Sequence, residues 1–369
     1  KFPSVFLRVN FMSIEQKITQ LIRPEIRALH AYPVGDASGM IKLDAMENPY
    51  QWPADMVQEW QGILANCALN RYPHPTAPEV TAGLREVMNV PAQYDILLGN
   101  GSDEIIQLLA MAVANPGATI LAPEPGFVMY KMIATFVGLN YVGVPLNEDF
   151  SLDVDGMLAV IAQQQPQLIF LAQPNNPTGN LWAEADLTAI VEASDGLVVL
   201  DEAYLPFSSR NHLDWLDRYD NVLVMRTLSK VGLAGLRLGM LFGRPEWLNE
   251  INKIRMPYNI NVLTQASAAF ALKHFDVLDQ QCAELKQQRE WLFAELQALG
   301  FAAYKSEANF ILARVKTDNA REIFEALKTH KILIKCMDGA HPLLAQCLRF
   351  TVGKAEENQA LITALKAIL

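Results

Sequence analysis

Residues 168–179, LIFLAQPNNPTG, set the fold class: an uncharged apolar run passes directly into a turn of Asn, Pro, Thr and Gly. Six similar runs stand at Ile96–Leu98, Thr119–Ala122, Tyr141–Val144, Leu197–Leu200, Val222–Met225 and Leu238–Phe242. Strands that are covered on both faces have this composition. The runs therefore predict the strands of a buried sheet.

Helical patterns separate these runs, at Ser102–Val113, Phe127–Val137, Asp155–Gln163 and Ala183–Ala193. Such alternation predicts an α/β fold with a mostly parallel central sheet between helices. After Pro257 the pattern changes, and Thr264–Leu299 is predicted to form one long charged helix that ends at Gly300. The elements expected beyond it are strands at Phe310–Val315, Ile332–Lys335 and Cys347–Val352, and helices at Asn319–His330 and Ala355–Leu369. They predict a second, smaller α+β domain.

The chain is accordingly divided into four predicted segments. Residues 1–11 precede the first plausible initiator, Met12, and are expected to be extraneous or upstream sequence, since they do not resemble a secretory signal. Residues 12–43, with a helix at Ile14–Arg23, are expected to form an arm that joins the small domain. Residues 44–262 are the predicted large domain, and residues 263–369 the small C-terminal domain.

Composition excludes several classes of protein. Apolar residues make up 51% of the 369 and charged residues only 19%, which excludes a disordered chain. The net charge of −10, from 30 basic and 40 acidic residues, argues against nucleic acid as a partner. A long uncharged stretch, Ile105–Pro123, contains polar and turn residues, so it is not predicted to span a membrane. The four cysteines lie far apart without zinc spacing, which predicts free thiols, no metal and a cytoplasmic location.

Polar residues follow the apolar runs, and in open α/β sheets ligands bind beyond the carboxyl ends of the strands. The first such group, Gly99–Asp103, is a glycine-rich turn that opens a helix, where free N–H groups favour a phosphate. It lacks the third glycine of the dinucleotide fingerprint, and the chain contains no Gly-x4-Gly-Lys-Ser/Thr loop. Taken alone, the turn is equally compatible with a simple strand-to-helix connection.

Two further strand ends carry Asp201 and Lys230. A buried carboxylate needs a partner, so Asp201 is either a group that holds a protonated ring nitrogen or a member of an internal ion pair or cap. Lys230, entering a cleft between apolar segments, is a candidate for bonding an aldehyde, because desolvation lowers the pKa of an amine. The alternative is a solvated surface lysine. Together, the lysine, the anion, nearby hydroxyl and amide donors and a phosphate-binding turn are the parts that pyridoxal phosphate requires.

These motifs resemble those of the fold-type I PLP-dependent aminotransferases and, within them, of the histidinol-phosphate aminotransferases. The resemblance extends from about Tyr32 to the C-terminus. It is carried by RYP (71–73), PNNPTG (174–179), DEAY (201–204), TLSK (227–230), GLRLG (235–239), NFILAR (309–314) and CLRFTVG (347–353). It implies a fold-type I PLP-dependent transferase and a homodimer with shared active sites.

The resemblance also implies roles for individual residues. Lys230 resembles the lysine that bonds the cofactor aldehyde and later moves a proton, and Asp201 resembles the partner of the pyridinium nitrogen. Tyr204 and Asn176 resemble the donors to the ring oxygen, and Phe127 the aromatic ring stacked on the cofactor. The remaining positions resemble the phosphate cup and comprise Gly101, Ser102, Asp103, Ser229, Arg237 and, from the neighbouring subunit, Tyr72.

Three positions are implied to bind substrate. Arg349 resembles the arginine that binds the substrate carboxylate or phosphate, and Tyr32 a tyrosine that assists at the phosphate. Lys335 stands where many relatives have a second arginine, and a lysine supplies charge without the bidentate fork. The implied reaction interconverts histidinol phosphate and 2-oxoglutarate with imidazole-acetol phosphate and glutamate. Alternatives are an aromatic amino-acid aminotransferase, an amino-acid-phosphate decarboxylase and a non-catalytic regulator.

Overall fold

The computed structural model describes residues 12–31, 34–317 and 319–369. The chain divides into two compact units, residues 1–36 and 37–369, which are described separately. The described part of the first unit contains the helices Ile14–Leu21 (α1) and Pro24–Arg27 (α2). A capping box begins α1: the Ser13 hydroxyl accepts from the Gln16 N–H at 3.2 Å, and the Gln16 side chain accepts from the Ser13 N–H at 2.8 Å.

The second unit contains strands and helices that alternate along the sequence. Its described strands are Ile41–Lys42 (β1), Asp95–Asn100 (β2), Thr119–Glu124 (β3), Asn140–Pro145 (β4), Leu168–Ala172 (β5), Leu197–Asp201 (β6), Val222–Thr227 (β7), Leu238–Gly243 (β8), Ala302–Ala303 (β9), Phe310–Arg314 (β10), Ile332–Leu333 (β11), Lys335–Cys336 (β12) and Cys347–Thr351 (β13). Its described α-helices are Ala54–Leu64 (α3), Pro78–Val87 (α4), Ser102–Ala112 (α5), Met129–Val137 (α6), Val154–Gln164 (α7), Glu184–Ala193 (α8), Trp215–Arg218 (α9), Pro245–Asn252 (α10), Val262–Lys273 (α11), Phe275–Ala298 (α12), Ala320–Thr329 (α13) and Ala355–Ile368 (α14).

The large sheet has the strand order β2-β8-β7-β6-β5-β3-β4. Five of its strands, from β7 to β4 in that order, pair in parallel, whereas β8 runs antiparallel to both of its neighbours, β7 and β2. The mostly parallel α/β sheet predicted from the sequence is therefore confirmed. Because β8 is reversed, its first residue lies at the same edge as the last residues of β2 and β7, with Leu238 opposite Asn100.

The central strands are buried on both faces, as their uncharged sequences predict. In β5, Ile169 and Leu171 join the apolar cluster on one side of the sheet, whereas Leu168 and Phe170 join the cluster on the other. Successive side chains of a strand point to opposite faces, so an uninterrupted apolar run fills both layers. Because these strands are buried on both faces, the polar motifs that begin at their carboxyl ends start inside the protein, at one edge of the sheet.

The single helix predicted over 264–299 is wrong, because the chain breaks at His274 between α11 and α12. The His274 backbone leaves the helical region, with φ −116° and ψ 33°, and its N–H donates to the Ala271 carbonyl at 3.1 Å. The two helices also differ in burial: α11 is buried over most of its last two turns, whereas α12 buries one stripe that includes Leu278, Leu285 and Leu292. No glycine or proline marks this change of direction in the sequence.

Two smaller sheets accompany the large one. An antiparallel sheet has the order β12-β13-β10-β9, and β1 pairs in parallel with β11. In the first of these, Lys335 lies directly opposite Arg349. The pairing of Ile41 with Ile332 joins residues before 43 to the C-terminal part of the chain. The domain boundaries at 43/44 and 262/263 stay predictions.

No helix among the described residues combines the length and apolar composition needed to cross a membrane.

Candidate active site

A cavity of about 400 Å³ opens at the carboxyl edge of the large sheet. The loops that follow β2, β3, β5, β6 and β7 each contribute to its wall, as does the residue before the reversed strand β8. The predicted site residues in the lining are Ser102, Asp103, Phe127, Asn176, Asp201, Tyr204, Ser229, Lys230 and Arg237. Residues from six separate strand ends therefore meet in one place, as the topology of the sheet requires.

Asp201 is the last residue of β6, and its side chain is buried. One carboxylate oxygen, Oδ2, accepts a hydrogen bond from the Tyr130 hydroxyl at 2.5 Å, and Oδ1 accepts from the Ala203 N–H at 3.1 Å. Burial raises the pKa of Asp201 to about 6, although both hydrogen bonds act in the opposite direction. The carboxylate is therefore ionised above about pH 6, and a cationic partner in the cavity would stabilise it.

Lys230 follows β7 and is the second residue of a short π-helical turn at Ser229–Leu233. Its Nζ lies 3.5 Å from the Ala45 carbonyl oxygen and 5.5 Å from the centre of the Tyr204 ring. Burial, together with the positive charges of Arg349 and Arg237, lowers the pKa of Lys230 to about 8, although acidic neighbours oppose the shift. A substantial fraction of this amine is thus neutral and nucleophilic near pH 8.

The start of α5 and the start of β8 form the end of the cavity that is suited to an anion. Gly101 precedes α5 with a φ of 79°, and a Cβ there would lie 2.6 Å from Nη2 of Arg237. A Cβ on Gly239 would lie 2.6 Å from the Ser102 backbone nitrogen, so the two backbones approach too closely for larger residues. The close approach places Arg237 beside the free N–H groups of the helix start. In the described structure Arg237 pairs with Asp103 at 3.1 Å.

A chain of hydrogen bonds links the two sheets at the cavity wall. The Asn176 amide nitrogen donates to the Tyr204 hydroxyl at 3.1 Å, and Nη1 of Arg349 donates to the Asn176 carbonyl oxygen at 2.7 Å. Nη2 of Arg349 donates to the backbone carbonyl of Asp44 at 2.9 Å. Arg349 is buried on β13 and does not itself line the cavity, but hydrogen bonds to two separate parts of the sequence hold it next to the lining residue Asn176.

The structure also places the remaining predicted residues. Tyr72 is exposed and stacks on Tyr258, with ring centroids 4.6 Å apart, and it does not line the described cavity. Lys335 is not among the residues that line the described cavity, although it faces Arg349 across the strand pair. Tyr32 lies outside the described residues.

Sequence analysis missed two contributions to the site. The segment Ala45–Glu47 lines the cavity, and its neighbour Asp44 binds Arg349 through the main chain. Main-chain contacts of this kind leave no trace in side-chain patterns. The second is Tyr130, the partner of Asp201, which stands in the middle of a helical pattern without any strand-end signal. Its polar hydroxyl on an otherwise apolar, buried helix face was the available clue.

Comparison with known proteins identifies the family. The family model of class I and II aminotransferases matches residues 38–365. A histidinol-phosphate aminotransferase of Nitrosococcus oceani is 51% identical over 354 residues, which cover 96% of this chain and 98% of the relative. One from Ralstonia nicotianae is 52% identical over 363 residues, with 97% and 96% covered.

A solved structure is similar as well. The histidinol-phosphate aminotransferase of Sinorhizobium meliloti, determined in complex with pyridoxal-5'-phosphate, superposes with a TM-score of 0.84 at 25% identity. The match covers 94% of this chain and 96% of the other. The fold of this chain thus occurs in another protein whose structure was determined with this cofactor.

Proposed function

Since the chain belongs to the class I and II aminotransferases, we propose that it exchanges the amino group of histidinol phosphate with 2-oxoglutarate, using pyridoxal phosphate held in the cavity described above. The products are imidazole-acetol phosphate and glutamate, and the reaction is a step of histidine biosynthesis. The observation that carries this function is identity above 50% with histidinol-phosphate aminotransferases over nearly the whole chain.

The residues of the cavity fit the cofactor. A phosphate suits the start of α5 beside Arg237, where Gly101 and Gly239 stand at positions that leave no room for a Cβ. A protonated ring nitrogen suits the buried carboxylate of Asp201, and an aldehyde suits the desolvated amine of Lys230. When bound, pyridoxal phosphate supplies the aldehyde that carries the amino group and the ring that takes up electrons from the substrate carbon.

The protein contributes charge and proton transfer. Because its pKa is lowered, Lys230 is suited to bond covalently to the cofactor aldehyde before substrate binds. Once released as a free amine, it is suited to carry a proton. Asp201 supplies the negative charge that keeps a ring nitrogen protonated. Tyr204 and Asn176, joined at 3.1 Å, present a hydroxyl and an amide to the same side of the cavity. Together they hold donors in place before substrate arrives, which is preorganisation.

The substrate preference is tested by single-turnover kinetics on the purified, cofactor-loaded enzyme. We expect histidinol phosphate to react at least about 100-fold faster than phenylalanine, since buried charged donors left unpaired by an apolar side chain penalise its binding. An enzyme that prefers phenylalanine would be an aromatic aminotransferase instead. Release of carbon dioxide from an amino-acid phosphate would identify a decarboxylase.

Arg349→Lys is expected to raise the KM for histidinol phosphate by about 10- to 100-fold, because lysine cannot reproduce the guanidinium fork that binds anions bidentately. The same change removes the hydrogen bonds from Arg349 to Asn176 and Asp44, so the wall of the cavity is held less rigidly as well. Steady-state kinetics with both substrates measure the effect. Arg321→Lys, at an exposed position of α13, is the matched control and should change KM less than about threefold. An unchanged KM in Arg349→Lys would remove Arg349 from substrate recognition.

We further propose that the enzyme is a cytoplasmic homodimer. Tyr72 is 81% exposed, and the motif RYP (71–73) that contains it resembles a segment that reaches the cofactor of a neighbouring subunit. Its stacking partner Tyr258 and the adjacent Met256 are exposed as well. Apolar and aromatic side chains grouped at a surface favour a protein interface.

Mixed dimers test the shared site. Tyr72→Ala and Lys230→Ala should each lose most activity, the former by about tenfold or more through a lost phosphate contact. After subunit exchange, a mixed dimer holds one site with both residues intact, so random mixing should restore roughly one quarter of wild-type activity. Subunit exchange is verified with a tagged chain and mass spectrometry. No recovery in verified mixed dimers would contradict the shared site.

A further inference from the structure

Tyr130 lies directly behind the cavity and contacts two of the residues predicted to hold the cofactor. It is buried in α6, and its hydroxyl donates to Oδ2 of Asp201 at 2.5 Å. Its ring stacks on Phe170 of β5, with centroids 4.4 Å apart and planes 5° apart. The same ring meets Phe127 edge-on, with centroids 5.5 Å apart and planes at 86°.

We propose that Tyr130 is a positioning residue of the cofactor site: its hydroxyl orients the Asp201 carboxylate and keeps it ionised, while its ring fixes Phe127. The proposal rests on the proposed use of pyridoxal phosphate. Phe170 stacks in parallel on the Tyr130 ring, which restrains the direction of the hydroxyl. One buried side chain thereby sets the position of both the anion and the aromatic ring predicted to meet the cofactor.

The hydroxyl matters because Asp201 is buried. Burial raises the pKa of Asp201, and nearby negative charges on Asp103 of α5 and on Glu202 raise it further. Only the hydrogen bonds from Tyr130 and the Ala203 N–H act against these effects among the contacts described for this carboxyl. Short O–H···O⁻ bonds are among the stronger hydrogen bonds in proteins. Losing the one from Tyr130 would bring the Asp201 titration closer to the working pH.

The direction of donation is also fixed. The pKa of Tyr130 lies well above its usual value, first because of burial and then because of the Asp201 charge. The phenol therefore keeps its proton throughout the range in which Asp201 titrates. Burial also raises the pKa of the nearby Tyr141, so Tyr141 adds no charge at that pH.

Tyr130→Phe tests the hydroxyl alone, because the ring contacts to Phe127 and Phe170 are kept. Tyr141→Phe is the matched control, since it removes the hydroxyl of a partly buried tyrosine whose partner is Glu124 rather than Asp201. The first readout is the carboxyl infrared band of the cofactor-free protein between pH 4 and 9, with Asp201 assigned by subtraction of the Asp201→Asn spectrum. We expect the Asp201 midpoint to rise by about one pH unit in Tyr130→Phe and to stay unchanged in Tyr141→Phe.

The second readout is the pH dependence of pyridoxal-phosphate affinity, measured by quenching of tryptophan fluorescence. The acid limb of binding should move upward with the Asp201 midpoint, again in Tyr130→Phe only. An unchanged midpoint in Tyr130→Phe, or an equal shift in both variants, would overturn the role of Tyr130. Failure of the wild-type protein to bind pyridoxal phosphate at any pH would instead overturn the proposed function, and the infrared titration would still decide what Tyr130 does to Asp201.

Discussion

Lys230→Ala is expected to lower turnover by at least about 10⁴-fold, because one substitution removes both the nucleophile and the proton carrier. The neighbouring residues offer no replacement amine in the described cavity lining. Borohydride reduction of the cofactor-loaded wild-type enzyme should fix the cofactor on Lys230, and peptide mass spectrometry should locate it. The alanine variant should retain no trapped cofactor.

Stability separates this loss of chemistry from a loss of fold. The pKa of Lys230 is about 8 in the folded protein and 10.5 in the unfolded chain, so between these values the unfolded chain binds more protons. Stability from this group therefore rises with pH across that window. Below pH 8, holding the amine in the cavity costs on the order of 3 kcal/mol.

Lys230→Met, which keeps most of the side-chain volume, is consequently expected to stabilise the cofactor-free protein at pH 7. That advantage should shrink as the pH rises from 8 to 10.5, as measured by urea unfolding. Lys253→Met, at an exposed position, is the control and should show no such dependence. Trapped cofactor or near-normal turnover in Lys230→Ala would place the reactive amine on another residue.

The location of Lys230 was predictable from sequence for a simple physical reason. Strands buried on both faces are mostly apolar, so polar residues at or just after their ends stand out, as Asp201 and Lys230 do. Parallel topology then brings those strand ends to one edge. The prediction for Arg237 depended on more than this, because Arg237 precedes its strand. It reaches the same edge of the sheet because β8 runs in the opposite direction.

Other parts of the site leave no local signal. Arg349 comes close to Asn176 through the packing of a separate sheet, and sequence could suggest it only through the resemblance of its motif. The hydrogen bond that Arg349 donates to Asp44 ends on a main-chain carbonyl, which any residue type supplies. Tyr130 has the spacing of an ordinary buried helix residue. The break at His274 has the same origin, because tertiary packing rather than a glycine or proline redirects the helix.

Asp201→Ala is expected to leave the cofactor bound but to reduce turnover by about 10²- to 10⁴-fold, a typical range for removing a charge aligned with the reaction. The phosphate end and Lys230 still hold the cofactor, so binding weakens less than catalysis. Without the carboxylate, a ring nitrogen in this apolar surrounding would lose its proton at neutral pH. Its capacity to accept electrons would fall, and stopped-flow kinetics would record a slower proton transfer.

Asp201→Asn and Asp201→Glu separate charge from position. Asparagine keeps the shape beside Tyr130 and Ala203 without the charge and should be nearly as inactive as alanine. Glutamate keeps the charge but displaces it, and it should recover only part of the activity. Near-normal turnover in Asp201→Asn would show that shape alone suffices and would contradict the role of the charge.

The same carboxylate is expected to make the cofactor-free fold less stable, which gives an independent check. The pKa of Asp201 is about 6 when folded and 3.8 when unfolded, so the folded protein binds more protons between these values. Stability from this group therefore falls as the pH rises through that window, and above pH 6 the ionised carboxylate costs on the order of 3 kcal/mol. Asp201→Asn should be more stable than wild type at pH 7 by urea unfolding, with the difference vanishing below about pH 4. Adding pyridoxal phosphate should reverse the order, because only the carboxylate gains a cationic partner.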